Sequence, residues 1–449
     1  MTTNYLGWAG IVRLGLVQTA LGAIVVLTTS TLNRVMGVEL GLAASLPAAL
    51  VGWHYGVQLS RPYWGHGSDV GRRRTPWIIA GMGVLALGGV LAANATIMMG
   101  TSLWLGVAIA IVAFTLVGAG VGASGTSLLA MLAVAVAPER RPAAASITWI
   151  MMILGIVLTA NLAGANLDPF SEQRLALVAS AVAGGAFLLT LLAVMGVEDR
   201  VAPGAVSGPS SAAAAPAPRK ASAFRAAINE IWSEPLARAF TIFVFASMLA
   251  YSAQDLILEP FAGLVFGYSV GESTKLSGMQ HSGVLLGMIL VGASGVVIRA
   301  NKTAWLRRVA VFGCAASAFA LVGLAQAGFH AGSWPLQPTV FALGFANGVF
   351  AVSAVGMMMS FAGEGAEARE GVRMGLWGAS QAVAFGLGGF AGAAGLDAMR
   401  AVAPSDPSAF SVVFGCEAAL FVVAAALAAR LGGARARDSM PSAATPVRS

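Results

Sequence analysis

LNRVMGVELGLAASLPAALVG (residues 32–52) slides onto LEPFAGLVFGYSVGESTKLSG (residues 258–278) at an offset of 226 residues. Leu32, Gly37, Gly41 and Gly52 fall on Leu258, Gly263, Gly267 and Gly278. Farther along, RPAAASITW (141–149) falls on REGVRMGLW (369–377) at an offset of 228, with Arg141 on Arg369 and Trp149 on Trp377. A near-constant offset between such distant matches marks an internal duplication.

What is duplicated follows from composition. Hydrophobic residues make up 57% of the 449-residue chain, charged residues only 10%, and the mean hydropathy is +0.80. A soluble domain carries about a quarter charged residues, so this chain is an integral membrane protein. Its apolar runs are about 20 residues or longer, the length a helix needs to cross ~30 Å of hydrocarbon. A barrel would show alternating strands of about ten residues instead. Twelve runs are expected, at 10–32, 43–62, 76–98, 103–134, 143–166, 173–197, 236–258, 275–298, 304–327, 336–361, 372–396 and 408–431. No basic leader with a small-residue cleavage site stands ahead of the first run, so that run is expected to be retained.

The stretch EDRVAPGAVSGPSSAAAAPAPRKAS (198–222) has no apolar face and reads as a flexible linker. It divides the runs six and six. The expected organisation is an N-terminal six-helix bundle over 1–197, a cytoplasmic linker over 198–235, a C-terminal bundle over 236–431 and a disordered cytoplasmic tail over 432–449. Two parallel six-helix repeats related by an axis along the membrane normal resemble the major facilitator superfamily. The expected fold class is therefore an all-α integral membrane protein of that fold, with twelve transmembrane helices.

Twenty of the 26 basic residues fall in loops on one side of this arrangement, Arg72, Arg73 and Arg74 among them. The positive-inside rule makes that side cytoplasmic, with both termini there. The net charge of +7 thus reports topology and contact with lipid headgroups. Scattered over short loops without a recognition module, the basic residues do not point to nucleic acid. Cys314 and Cys416 lie inside apolar runs and lack ligand spacing, so no metal site is expected. With no P-loop and no nucleophile elbow, the chain is not expected to be an enzyme.

Between runs two and three stands GHGSDVGRRR (65–74). It is similar to the superfamily's cytoplasmic loop motif, with one residue fewer between Asp69 and Gly71 and Val70 in place of an arginine. Gly65 and Gly67 permit a tight turn, and the resemblance places Asp69 at a helix N-terminus in the other half, where the dipole favours an anion. TLNRVMGVELG (31–41) and QDLILEPFAGLVFGYSVGESTKLSG (254–278) resemble more than the superfamily. Together they are similar to the PucC/LhaA family of photosynthetic bacteria, and the resemblance spans most of the chain. QLSRPYWGHGSD (58–69) suggests a branch apart from the better-known assembly factors. The resemblance implies assembly of light-harvesting complexes, with bacteriochlorophyll as cargo and no tightly bound cofactor. Implied partners are light-harvesting or reaction-centre subunits, pigment-synthesis enzymes and lipid.

Several residues are candidates for a site. On a regular helix Arg34 and Glu39, five residues apart, do not face each other, and an unpaired charge near hydrocarbon is costly. Glu259 stands at the repeat position of Asn33, so an Arg34–Glu259 pair across the pseudo-two-fold is expected to close the non-cytoplasmic rim. Interfacial water reached from the helix ends is the alternative. Gly65, Asp69, Arg72, Arg73, Arg141 and Arg369 are the gating candidates at the other end. Asp255 is an intramembrane carboxylate and so a candidate by default; Glu417 lies similarly in run twelve without a motif around it. His54 in GWHYG and His281 in GMQHSG sit near equivalent repeat positions. With Gln58 one turn after His54 and Gln280 beside His281, they are the candidates to bind pigment, the imidazoles as axial ligands to a chlorin magnesium. Helix-packing hydrogen bonds are the alternative for both histidines. Met151, Met152 and Met357–Met359 suit a soft cavity or ordinary packing equally.

Two functions from different classes follow. One is an assembly factor that binds bacteriochlorophyll or a late precursor and delivers it to antenna or reaction-centre polypeptides. The other is a proton-coupled secondary transporter of a small solute, with Asp255 as the coupling group. Composition alone favours the transporter; the family resemblance favours the assembly factor.

Overall fold

The computed structural model describes residues 5–61, 64, 73–137, 140–198, 232–297, 302–362 and 370–438. Every regular element among them is helical. In chain order these are α1 (Trp8–Glu39), α2 (Ser45–Val57), α3 (Thr75–Met99), α4 (Leu103–Ala135), α5 (Arg141–Asn166), α6 (Glu172–Val194), α7 (Pro235–Phe266), α8 (Val270–Val297), α9 (Lys302–Ala327), α10 (Leu336–Ala362), α11 (Glu370–Val402) and α12 (Asp406–Asp438). Eleven of them are long and apolar enough to span a membrane. The twelfth, α2, runs on as a 3₁₀ turn, Gln58–Ser60, toward residues outside the described set. Outward-facing apolar side chains such as Trp104 and Phe319, each 81% exposed, are what a lipid environment calls for.

Helix ends follow local chemistry. Proline occupies the first turn of α3, α5 and α7, where its missing N–H costs nothing. Ser269 and Glu272 form a reciprocal capping box at the start of α8, at 2.9 and 3.1 Å. The duplicated glycines Gly41 and Gly267 both adopt φ above +60° and end α1 and α7. After each, the chain closes the same bond: Leu42 N donates to Met36 O at 3.0 Å and Tyr268 N to Ala262 O at 3.1 Å. These two Schellman turns lie 226 residues apart, so the sequence repeat is a repeat of backbone conformation.

Packing is duplicated as well. Within the first half α1 packs on α5 and α6, α3 on α4 and α6, and α2 on α4; in the second half α7 packs on α11 and α12, α9 on α10 and α12, and α8 on α10. The halves meet along two pseudo-equivalent seams, α5 with α8 and α2 with α11. This is the expected pair of six-helix repeats.

The first and seventh helices are longer than their apolar runs. Asn33, Arg34 and Glu39 lie within α1, and Glu259 lies within α7. Asn33, Arg34 and Glu259 are each only 2% exposed, because they are buried against the other half and not beyond the helix end. The helix α12 also continues past residue 431 to Asp438. Residues 199–231 of the linker and 439–449 of the tail lie outside the described residues, as do Gly65, Asp69, Arg72 and Arg369.

Candidate functional site between the two halves

Where α1 turns into α2 and α7 into α8, the halves are joined by polar side chains. Ser30 Oγ donates to the Glu259 carboxylate and lies 3.2 Å from Ser277 Oγ. Thr31 and Thr274 hydroxyls meet at 3.4 Å, and Asn33 Nδ2 donates to Leu256 O at 2.6 Å. Arg34 Nη2 donates to Tyr268 O at 2.7 Å.

The expected Arg34–Glu259 pair does not form. Arg34 Nη1 pairs with Glu39, and the Glu259 carboxylate accepts from Ser30 instead. The expectation that Arg34 and Glu39 point apart assumed a regular α-helix. Here Leu27–Thr31 and Val35–Glu39 are π-helical turns, and Leu40 N bonds back five residues to Val35 O. An i→i+5 ladder brings residues five apart onto one face. The pairing partner therefore comes from the same helix.

Below this closed end the polar groups continue inward. Gln280 Nε2 donates to Asp255 Oδ1 at 3.3 Å. Tyr251 stands one helical turn before Asp255 on the same face of α7. Tyr251 and Tyr55 both pack on Phe385, with ring centroids at 5.8 and 5.7 Å. Glu417 is 2% exposed with neither carboxylate oxygen hydrogen-bonded, and the buried Gln254 amide is likewise unpartnered.

His281 lies on the face of α8 that carries Thr274 and Ser277, one turn from the closed end. Its Nδ1 stands 2.9 Å from Ser277 O. A carbonyl only accepts, so Nδ1 carries the proton and the Nε2 lone pair is left free on a partly exposed ring. His54 is different. Its Nε2 accepts from Gln58 Nε2 at 2.8 Å, and the Gln58 oxygen accepts from Arg61. The ring is 1% exposed and its Nδ1 is buried without a partner. Gln58 does share a face with His54, as expected, but it occupies the nitrogen a macrocycle would need. In this structure His54 serves the helix-packing hydrogen bonds that are the alternative reading of it.

The seams differ in the middle. At α5–α8, Ile153, Ile156 and Ala160 pack with Val284 and Met288, and a Cβ on Gly278 would meet Asn161 Nδ2 at 2.7 Å. At α2–α11 there is instead a groove of about 380 Å³. Ala49, Gly52, Tyr55 and Gly56 line one wall, Gly386 and Phe390 the other. Leu59, Leu387 and Phe390 at its edges are exposed, so it opens sideways to lipid.

The family model for PUCC protein matches residues 31–436. The chain belongs to the PUCC family. A Rhodobacter capsulatus protein named bacteriochlorophyll synthase 44.5 kDa chain is 51% identical over 97% of this chain and 98% of its own length. Protein PucC of Cereibacter sphaeroides is 31% identical over 84% of this chain and 81% of its own. A peptide transporter POT, solved with alafosfalin, superposes with a TM-score of 0.67 over 96% of this chain and 97% of the transporter, at 15% identity. The fold of this PUCC protein is that of the major facilitator transporters, and it is a multi-pass membrane protein.

Of the other candidates, Arg73 is exposed, and Arg141 Nε donates to Val136 O at 3.2 Å, tying the start of α5 to the end of α4. Met151 packs against Gly15 of α1 and Met357 is fully buried, so both serve helix packing. Sequence reading missed Ser30 and Thr31. Their signal was the hydroxyl run Thr28–Thr31 inside an otherwise apolar segment. It also missed Tyr55, Tyr251, Asp168 and Asp397. The two aspartates bind backbone of the opposite half: Asp168 Oδ1 accepts from Gly271 N at 3.0 Å, and Asp397 accepts from Ala44 N at 2.8 Å and Ser45 N at 2.7 Å.

Proposed function

We propose that this PUCC protein is a membrane assembly factor that takes bacteriochlorophyll, or a late precursor, from the bilayer and hands it to light-harvesting or reaction-centre polypeptides. The observation that carries this reading is the α2–α11 groove, apolar and open to lipid at its edges. A cargo that dissolves in lipid needs a lateral path. The groove is near the low end of the ~300–1,000 Å³ typical of small-molecule sites, so it suits a tail or a ring edge while the rest stays in the bilayer. Tyr55 at its wall shares Phe385 with Tyr251, one turn before Asp255; Asp255 and Gln280 are groups able to hydrogen-bond polar substituents.

His281 is the residue we assign to the chlorin magnesium. Its tautomer is set by the backbone carbonyl, the arrangement that orients imidazole ligands in metal sites. The names of the relatives, one a bacteriochlorophyll synthase chain and others PucC, support pigment as the cargo class. On this reading the protein carries out no covalent chemistry and sits in the photosynthetic inner membrane with both termini cytoplasmic. Its partners are the antenna or reaction-centre subunits and the enzymes that make the pigment. Proton-coupled solute transport is the second reading, favoured by two carboxylates within the helices of the second half, the half-buried Asp255 and the buried Glu417.

The test is purification in mild detergent from pigmented membranes, followed by absorption spectroscopy and pigment mass spectrometry. The expected result is stoichiometric pigment, lost with His281→Ala and kept with His54→Ala. A colourless, partner-free protein from pigmented cells overturns the reading in favour of solute transport.

A further inference from the structure

We infer that Asp397 is the latch of a lateral gate, the fastening that holds the α2–α11 seam together at the closed end of the bundle. This rests on the groove being the cargo path. The first N–H groups of a helix have no intrahelical partner, and the N-terminus carries partial positive charge. Asp397, near the end of α11, places one carboxylate oxygen on Ala44 N and the other on Ser45 N, at 2.8 and 2.7 Å. It crosses from one half of the protein to the other. Its neighbour Arg400 is engaged with Asp406 at 2.7 Å, and among the described residues no ion pair is formed by Asp397. The N-terminus of α2 is thus its counter-charge.

The second seam has the counterpart. Asp168, just past α5, accepts from Gly271 N at the start of α8 at 3.0 Å, and Ser45 and Gly271 are 226 residues apart, in repeat register. The two fastenings are equivalent in the fold but carry unequal shares. Behind Asp168 the α5–α8 seam is packed at mid-height by Ile153, Ile156, Ala160, Val284 and Met288. Behind Asp397 the helices touch where a Cβ on Gly52 would stand 3.4 Å from Gly386 O, and then the α2–α11 seam opens into the groove, with nothing within 4 Å of where a Cβ on Gly56 would stand. Releasing Asp168 leaves a packed seam; releasing Asp397 frees the rim above an already open one. The protein opens sideways through α2–α11, and Asp397 governs that opening.

The test uses the full chain in nanodiscs without pigment, with Cys314→Ala and Cys416→Ser as background. Spin labels go at exposed Ala43 and Ala398 across one seam, and at exposed Asn166 and Lys275 across the other. Pulsed electron-spin distances are then compared with and without Asp397→Ala, Asp397→Asn and Asp168→Ala. The expected result is a new, longer population for the 43–398 pair with Asp397→Ala, a smaller one with Asp397→Asn, and no change at 166–275. Asp168→Ala leaves the 43–398 distances as they were. An unchanged 43–398 distribution, or equal widening of both seams, overturns the latch. Should Asp397→Ala not be recovered folded, the isosteric Asp397→Asn decides the matter alone. Because no pigment is present, failure here is separable from failure of the pigment reading.

Discussion

Replacing Glu39 with glutamine strands a guanidinium that is 2% exposed on its side chain, while the Glu39 side chain itself is 34% exposed. Breaking a fully buried ion pair from one side costs about 3–5 kcal/mol, and an exposed pair is worth about 0.2–1 kcal/mol. One buried and one half-solvated partner, with the Tyr268 carbonyl still in place, sets the coupling between them at about 2 kcal/mol, or roughly 30-fold in an equilibrium constant. The assay is a double-mutant cycle read by reversible unfolding in mixed detergent micelles. It compares Glu39→Gln, Arg34→Met and the double variant, with a parallel cycle through Glu259→Gln. Arg34 and Glu39 are expected to couple by about 2 kcal/mol, and Arg34 and Glu259 by less than about 0.5 kcal/mol. If the larger coupling falls on Glu259, the π-helical account of this rim is wrong, and the ion pair crosses the pseudo-two-fold after all.

Two further outcomes follow from the helix ends. Glu198 takes both Arg74 N and Thr75 N, at 2.7 and 3.1 Å, and so caps α3; Glu198→Ala should cost about 1 kcal/mol, measured by the same unfolding assay. Gly41→Ala and Gly267→Ala each force a Cβ into the left-handed region at φ +63° and +71°. Each should cost about 1–2 kcal/mol, and the two losses should be similar, because the turns are copies.

The parts of the fold that were legible in the sequence are those where a single residue type answers a single physical demand. Gly41 and Gly267 match because each ends a helix with a positive φ, and Gly52 and Gly278 match because each lies where helices from opposite halves come close. Runs of apolar residues announce helices because lipid leaves no other way to satisfy the backbone. What stayed hidden depends on geometry that residue identity does not carry. The Arg34–Glu39 pair is out of reach of any reading that assumes α-helical spacing. Asp168 and Asp397 look like ordinary loop and interfacial acids, because their partners are backbone N–H groups more than a hundred residues away and leave no side-chain pattern. His54 and His281 look alike in sequence. Only the neighbours, Gln58 for one and the Ser277 carbonyl for the other, separate a closed imidazole from an available one.

The duplication also explains why one seam opens and the other does not. In lipid no hydrophobic drive pulls helices together; they associate where side chains interlock. Across α5–α8, Ile153 and Ile156 pack with Val284 and Met288, so contacts continue away from the rim. Across α2–α11, Ala49, Gly52 and Gly56 face Ala382 and Gly386, small against small. The two faces meet at Gly52 and Gly386, and beside that contact lies space that neither helix fills; unfilled space forfeits dispersion contacts. Lipid or an apolar ligand recovers those contacts from the side. The rim fastenings were copied with the repeat, whereas the side chains beneath them diverged. A scaffold symmetric in its backbone thereby comes to differ between its two seams.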